Sequence, residues 1–478
     1  MRLTRNRLKA VLTAVFAAVT TYAYDRFGRQ RSVALSIDGG EPQTMATYSY
    51  DAIGRLGEKT YNGTSDIPST TYTYDVRSNI TGISGAGFTQ TMYYGAMPTT
   101  LAAADLPVSY VSLCATEETQ YRDGGDIAQN ATWAYRYDGF GRLAQATTAD
   151  ASMSEAFEYD LNSNILHLER RYGGDAVQDA AMTYYGNRIA SVNDASLPYY
   201  TDIVPSFAAG TYTQQYDEDG RLTADGTRQI TRITYTDNGV QMPQSIDFAN
   251  GSRIINTYLP DGTLLRRDLR TIRTRTVVRV NAQGDTIVRT IREPVIDVTR
   301  YRGDWEINGS RWRLNTTEGI ALIGSAATAN ATEVANATAV ASGSAANNAG
   351  AGASAGTTFS HLWYVRDRLG SVRSVVDATG TILQNTAYYA SGVPVQCFDT
   401  RRVTDRGHIG NRYLDFAAIG WYDNTARMHD ALLCRFTTRD PLATDYPSLS
   451  PYTHCAANPL RYIDPTGRWY AEVHSTQL

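Results

Sequence analysis

An eight-residue string recurs along this chain, and its internal spacing leaves few folds open to it. Tyr-x-Tyr-Asp-x-x-Gly-Arg stands at Tyr22–Arg29, Tyr48–Arg55 and Tyr135–Arg142. Looser copies run from Tyr72 (YTYDVRSNI), Phe157 (FEYDLNSNI) and Gln215 (QYDEDGRL). Where copies are adjacent their aspartates lie 26 residues apart (Asp25 to Asp51), 24 apart (Asp51 to Asp75) and 22 apart (Asp138 to Asp160). That length suits one strand-turn-strand unit per repeat. Tyrosines at i and i+2, as at Tyr24, Tyr50, Tyr74, Tyr137 and Tyr159 with their partners two residues earlier, share one face of an extended strand. Asp followed three residues later by Gly is the signature of a type I turn. In hairpins such a turn commonly ends on a left-handed residue that forms a bulge. The spacing recurs at Asp25/Gly28, Asp51/Gly54, Asp138/Gly141, Asp217/Gly220, Asp367/Gly370 and Asp377/Gly380, and with Asn at Asn281/Gly284. Ser78 and Ser163 follow Asp75 and Asp160 where Gly is expected, so those two turns are predicted to be strained or differently wound.

A single hairpin cannot hide its apolar face, so neighbours must stack edge to edge. The expected fold is therefore all-β: hairpins wound into a spiral, shell-like sheet, either an open arc or a partial cocoon, whose end must be capped. Composition agrees. The 478 residues are 42% hydrophobic and 19% charged with a net charge of −4. That balance argues against a general nucleic-acid binder, and four cysteines argue against a disulfide scaffold. Tyrosine outnumbers phenylalanine 33 to 11, and only Lys9 and Lys59 among 44 basic residues are not arginine. Arg and Tyr stack on one another, so a sheet carrying both in register is the expectation.

These units resemble the YD repeats of Rhs-type proteins, a group that includes the C components of insecticidal toxin complexes and the teneurins. The resemblance runs from about Thr21 to Gly467. Its most specific part is C-terminal: HLWYVRDRLGSVR (His361–Arg373), GWYDNTARMHDALLCRFTTRDP (Gly420–Pro441) and YPSLSPYTHCAANPLRYIDPTG (Tyr446–Gly467) are similar to the Rhs repeat-associated core. His429, Ala431 and Cys434 stand where that pattern carries Tyr, Pro and Gly. The resemblance implies a hollow shell of hairpins that encloses a C-terminal polypeptide, often a toxin, and is plugged at one end by the core. It also implies self-cleavage after the core by aspartates and an arginine, carried over here onto Arg435, Asp440 and Asp464.

The implied organisation is residues 1–20 as a signal peptide or partial upstream repeat, 21–324 as the hairpin array, 325–357 as an insertion, 358–468 as the core, and 469–478 as a tail too short for a toxin domain. At the N-terminus, basic Arg2–Lys9 followed by apolar Ala10–Val19 reads as a secretory signal, or as the return strand of a preceding repeat. Ten apolar residues are too few to span a bilayer. Ser325–Thr357 holds fourteen alanines, no aromatic residue and one charge, Glu333, so it reads as a flexible insertion. Between Arg266 and Arg302 lie ten arginines and four acids. The segment reads as a long hairpin with cross-strand paired charges, with Arg273, Arg275 and Arg279 on one face, rather than as a nucleic-acid stripe.

Two carboxylates held close can share a proton and activate water, which is the chemistry available to Asp440 and Asp464. The turn reading competes, because Asp464-Pro465-Thr466-Gly467 repeats the Asp-to-Gly spacing with Pro at its favoured second position. A metal site at His429, Cys434, His454 and Cys455 matches no ordinary zinc spacing, and adjacent His454 and Cys455 on an extended segment would face opposite ways. A packed His429 and a buried free Cys455 are expected, with no cofactor. The sequence thus points to a structural shell of the secreted or cell-surface kind, here without its cargo. Its partners would be an enclosed polypeptide or a second shell chain, with no nucleic acid and no membrane span. A self-cleaving protease and a glycan-binding surface module are the alternatives.

Overall fold

The computed structural model describes residues 17–61, 66–95, 113–122, 127–196, 208–236, 241–280, 286–323, 359–396 and 403–473. The N-terminal segment read as a signal or partial repeat (apart from 17–20), the Ala-rich insertion, and the Asn281/Gly284 turn lie outside these residues.

Each tyrosine-bearing strand leads into a tight turn whose chemistry is local. At the first, Gly28 N–H donates to Asp25 O (3.0 Å) and Asp25 N–H to Arg29 O (2.8 Å). The Asp25 carboxylate accepts from Phe27 N (2.8 Å), Arg29 N (3.0 Å) and Arg29 Nε (2.7 Å). The same set recurs at Asp51 with Arg55, at Asp138 with Arg142, and for the Arg221 contacts at Asp217. The last turn residue is left-handed, with Gly28, Gly54, Gly141 and Gly220 at φ between 77° and 94°. A register shift in the ladder follows directly at Tyr24, Tyr50, Tyr74 and Tyr159, as a bulge requires.

The two serine turns decide between the two outcomes expected of them: the winding is unchanged, and the strain falls on a left-handed serine. Asp75 and Asp160 cap Asn79 and Asn164 in the same pattern, and Ser78 and Ser163 adopt φ 66°. They are wound like the glycine turns, and a non-glycine residue simply occupies the left-handed position. The carboxylate that accepts from the i+2 and i+4 backbone amides holds the geometry without Gly.

The hairpins join into one antiparallel sheet of 28 strands, from Ala18–Tyr24 to Pro394–Gln396, not closed into a barrel. Each strand pairs with its sequence neighbours, so the sheet is a continuous meander. Among the described residues there is no α-helix. Among those residues no helix is long and apolar enough to cross a membrane. Strands Leu264–Val280 and Thr286–Arg302 are 17 residues each and pair along fifteen positions from Arg266/Arg300 to Val280/Thr286.

The sheet curls until distant strands meet. Val33, Leu35 and Met45 pack with Leu314, Ala321 and Ile323, and Tyr61 and Phe88 with Trp363, Val365 and Val376. The Trp363 indole donates to Met45 O at 2.8 Å. The buried face between Leu56 and Val192 is covered by residues 387–460, including Tyr389, Val393, Tyr413, Tyr422, Leu432 and Leu460. Leu222–Ile254 is covered by Leu414, Ile419, Trp421 and Met428. The C-terminal segment thus forms a plug of short pieces, with a small sheet of Arg412–Leu414, Trp421–Asp423, Met428–Asp430 and Arg435–Phe436.

Candidate functional site: the wall ladder and the plug it holds

The repeat residues build a ladder that runs from one hairpin to the next. Arg29 stacks on Tyr50 of the following unit with its Cζ 4.5 Å from the ring centroid; Arg55 on Tyr74 (4.5 Å), Arg142 on Tyr159 (4.6 Å) and Arg221 on Tyr235 (4.9 Å) repeat the contact. Each tyrosine hydroxyl donates back: Tyr50 to Gln30 O, Tyr74 to Leu56 O, Tyr137 to Leu113 O, Tyr159 to Leu143 O and Tyr235 to Leu222 O, all at 2.7–2.8 Å. Arg55 and Arg142 also donate forward to Asp75 O and Asp160 O. A single arginine therefore ties its own turn aspartate, the next ring and the next backbone, a combination that a lysine ammonium does not reproduce. Tyr24 of the first unit has no such backing and is 60% exposed.

The plug is bound to the wall by buried arginines, some of them held in place by wall carboxylates. Arg170 and Glu155 are both fully buried and joined at 2.5 Å. Arg170 also donates to Gln178 of the wall, and in the plug to Leu432 O (2.8 Å), Ala431 O (3.2 Å), Ser391 Oγ (3.1 Å) and Cys434 Sγ (2.9 Å). Arg228 reaches Ile419 O and Asp430, Arg267 reaches Asp423, and Arg373 of the last wall strands pairs with Glu118 at 2.7 Å. None of these partners shares a motif with the other in sequence.

Within the plug, Asp440 and Asp464 are brought together, but by Arg427 rather than Arg435. Arg427 Nη2 donates to Asp440 Oδ2 (2.9 Å) and Asp464 Oδ2 (3.3 Å), and its guanidinium lies 3.6 Å from the Phe436 ring centroid. Arg427 Nε donates to the Gly467 carbonyl, Gly467 N–H donates to Asp464 Oδ1 (2.7 Å), and Asn424 Nδ2 donates to Asp464 O (2.6 Å). Burial pushes the Asp464 carboxyl up to about 6 against the pull of Arg427. Arg435 points away to the wall, donating to Asn187 O at 2.7 Å beside Tyr184 and Tyr452. Arg427 lies inside the Gly420–Pro441 string that resembles the core, but nothing in its local sequence sets it against Asp464, 37 residues away.

Three imidazoles sit at the plug's centre. His429 and His454 stack with centroids 3.8 Å apart, and His408 lies 6.4 Å from His454. Burial holds all three rings neutral, lowering His408 to about 4 and the other two further. His454 and Cys455 are not on opposite faces: Cys455 opens a 3-10 turn at φ 49°, and its sulfur comes 3.3 Å from His454 Nε2. Cys114, Cys434 and Cys455 are free thiols. Among the described residues no group of three or more His, Cys, Asp or Glu side chains is placed to hold a metal. In the long hairpin, Arg266 pairs with Asp268, Arg267 with Asp423 and Arg275 with Glu293.

No family model matches the chain, and no curated protein matches its sequence. Its structure is similar to the crystal structures of TcdB2-TccC3-Cdc42 and TcdB2-TccC3-TEV, each at a TM-score of 0.52 and 13% sequence identity over 94% of this chain. The chain spans about 20% of the length of those chains. The likeness is one of fold, and it supports an Rhs/YD-repeat-like architecture for the wall and its plug.

Proposed function

We propose that the chain is a structural wall-and-plug unit of a polypeptide shell, one that encloses a cargo chain rather than turning over a small substrate. The observation that supports this most directly is the coupling of a continuous hairpin wall to a plug that seals its inner face. The linking contacts, such as Arg170 to Leu432 O, join residues 262 positions apart. The enclosed polypeptide and any second shell chain belong to this reading, as does export to the cell surface or beyond. The test is protection. An intrinsically unfolded reporter fused after residue 478 should survive a proteinase dose that digests the free reporter, and lose that protection when the plug is loosened. Equal digestion of fused and free reporter would reject enclosure.

A second reading rests on one specific contact: Arg427 Nε on the Gly467 carbonyl, with the Asp464 carboxyl bonded to the Gly467 amide. We propose that the Asp440/Asp464 pair hydrolyses the Gly467–Arg468 bond. Arg427 would polarise the carbonyl, one carboxylate would take a proton from water and the other would protonate the leaving amine. Intact mass is decisive, since a product ending at Gly467 that disappears in Asp440→Asn and Asp464→Asn supports cleavage, and an intact C-terminus in the wild type rejects it.

A further inference from the structure

With Arg435 released from the aspartate pair, its actual surroundings raise a different chemistry. It lines a small cleft at the seam between wall and plug, with Tyr159, Asn164 and Tyr184 from the wall and Ser450 and Thr453 from the plug. An isolated β-bridge sets Arg435 directly opposite Thr453, and Thr453 N–H donates to Ser450 O at 3.0 Å, so the three side chains are held by backbone pairing.

Their polar atoms are not consumed by one another. Arg435 Nε, Ser450 Oγ and Thr453 Oγ1 are buried and have no hydrogen-bond partner, and so is Asn164 Oδ1 across the seam. Arg435 is 7% exposed and Ser450 5%. A buried polar group left unmatched is costly, and more so when it is charged. Three donors supplied by the plug to one cleft, one of them cationic, are complementary to an oxyanion.

Charge around the cleft points the same way. Among the described residues Arg435 has no carboxylate within ion-pair distance; its contacts are Asn187 O and the Tyr184 and Tyr452 rings. The Tyr452 hydroxyl lies in the field of Arg435, Arg188 and Arg439 against one acid, Asp217. Asp217 is already paired with Arg221 at 2.7 Å, and Asp160, the acid facing Tyr184, caps its own turn through Asn162 N and Asn164. The seam therefore holds a buried guanidinium whose nearest acids are committed elsewhere.

We propose that this cleft is a binding site for a small carboxylate-type anion, held by Arg435 Nε, Ser450 Oγ and Thr453 Oγ1, which fastens the plug to the wall. Asn164 Oδ1 favours an anion that also carries a hydroxyl or ammonium donor. An occupied site neutralises the seam and adds bonds that exist only while plug and wall are docked, so occupancy stabilises the closed state by mass action.

The experiment uses the full chain. Thermal unfolding is followed as acetate and then lactate, the latter supplying the extra hydroxyl, replace a bulky sulfonate buffer anion at constant ionic strength. A saturable rise in Tm with acetate is expected, with lactate saturating at lower concentration. Arg435→Gln should abolish the rise, and Ser450→Ala/Thr453→Val should raise the half-saturating concentration at least tenfold. Should Arg435→Gln fail to fold, the double variant, which keeps the guanidinium and its bond to Asn187, decides alone. Identical Tm values in carboxylate and sulfonate at equal ionic strength would mean that water alone satisfies these groups, and would overturn the proposal. A saturable rise that persists unchanged in the double variant would overturn it too.

Discussion

Arg170→Met is the perturbation that most directly tests how the plug is held. The guanidinium and its partner Glu155 are both fully buried, so deleting the cation leaves a carboxylate in the interior whose remaining donors include Ser391 N (2.9 Å) and Ser391 Oγ. Breaking one side of a buried pair typically costs about 3–5 kcal/mol. The two surviving donors place this case toward the lower end, while Gln178 Oε1 loses its donor and the Ala431 and Leu432 carbonyls each lose one of two, adding about 1 kcal/mol. The expected total is a loss of about 4 kcal/mol. The double variant Glu155→Met/Arg170→Met removes both charges and keeps similar volume, so it should be less destabilised than the single variant, by about 2 kcal/mol. Urea unfolding followed by tryptophan fluorescence reads the loss. Amide exchange of residues 428–436 reads whether the plug is the part that opens. A single-variant loss below about 1 kcal/mol, or a double variant as damaged as the single one, would refute the view that this pair is the clamp.

Three further outcomes follow from the same geometry. Gly54→Val should lose about 1–2 kcal/mol in urea denaturation, because φ is 94° there and a Cβ would meet Arg29 Nη1 at 3.3 Å; Ser78→Gly at φ 66° should gain stability instead. Tyr159→Phe removes the hydroxyl bond to Leu143 O and should cost about 1 kcal/mol while leaving Arg142 stacked on the ring, measured by the same denaturation. Acid should weaken the plug. His408 titrates near 4 when folded against an ordinary 6.5, with His429 and His454 lower still, so the unfolded chain binds more protons and stability falls as pH drops from about 6.5 toward 4. Asp430 and Asp464, raised to about 6 by burial, oppose this, since their protonated folded forms are favoured as pH falls from 6 toward 3.8. Asp464→Asn should therefore exceed the wild type in stability at pH 7 and lose that advantage by pH 4. An advantage independent of pH would contradict the assignment.

What could be read from the sequence is what its own near neighbours decide. An aspartate that accepts from the amides two and four residues on, and from the arginine at i+4, builds the same turn wherever it occurs. Asp25, Asp51 and Asp138 all do so, and Asp217 makes the same contacts with Arg221. Pairing of consecutive strands then yields the all-β sheet, since every hairpin needs its neighbour to cover the same tyrosine face. The serine turns keep the shared winding because the carboxylate, rather than the glycine, supplies most of the turn's definition, and a left-handed Ser78 or Ser163 bears the strain. Long-range assembly was not legible. Arg170 meets residues more than 220 positions away, and Arg427, lying outside the recognisable Arg-Phe and Asp-Pro strings, displaced Arg435 beside Asp440 and Asp464. Local hydrogen bonds repeat with the sequence and can be counted from it. Which buried charge finds which depends on how the wall curls around the plug, and only the tertiary structure decides that.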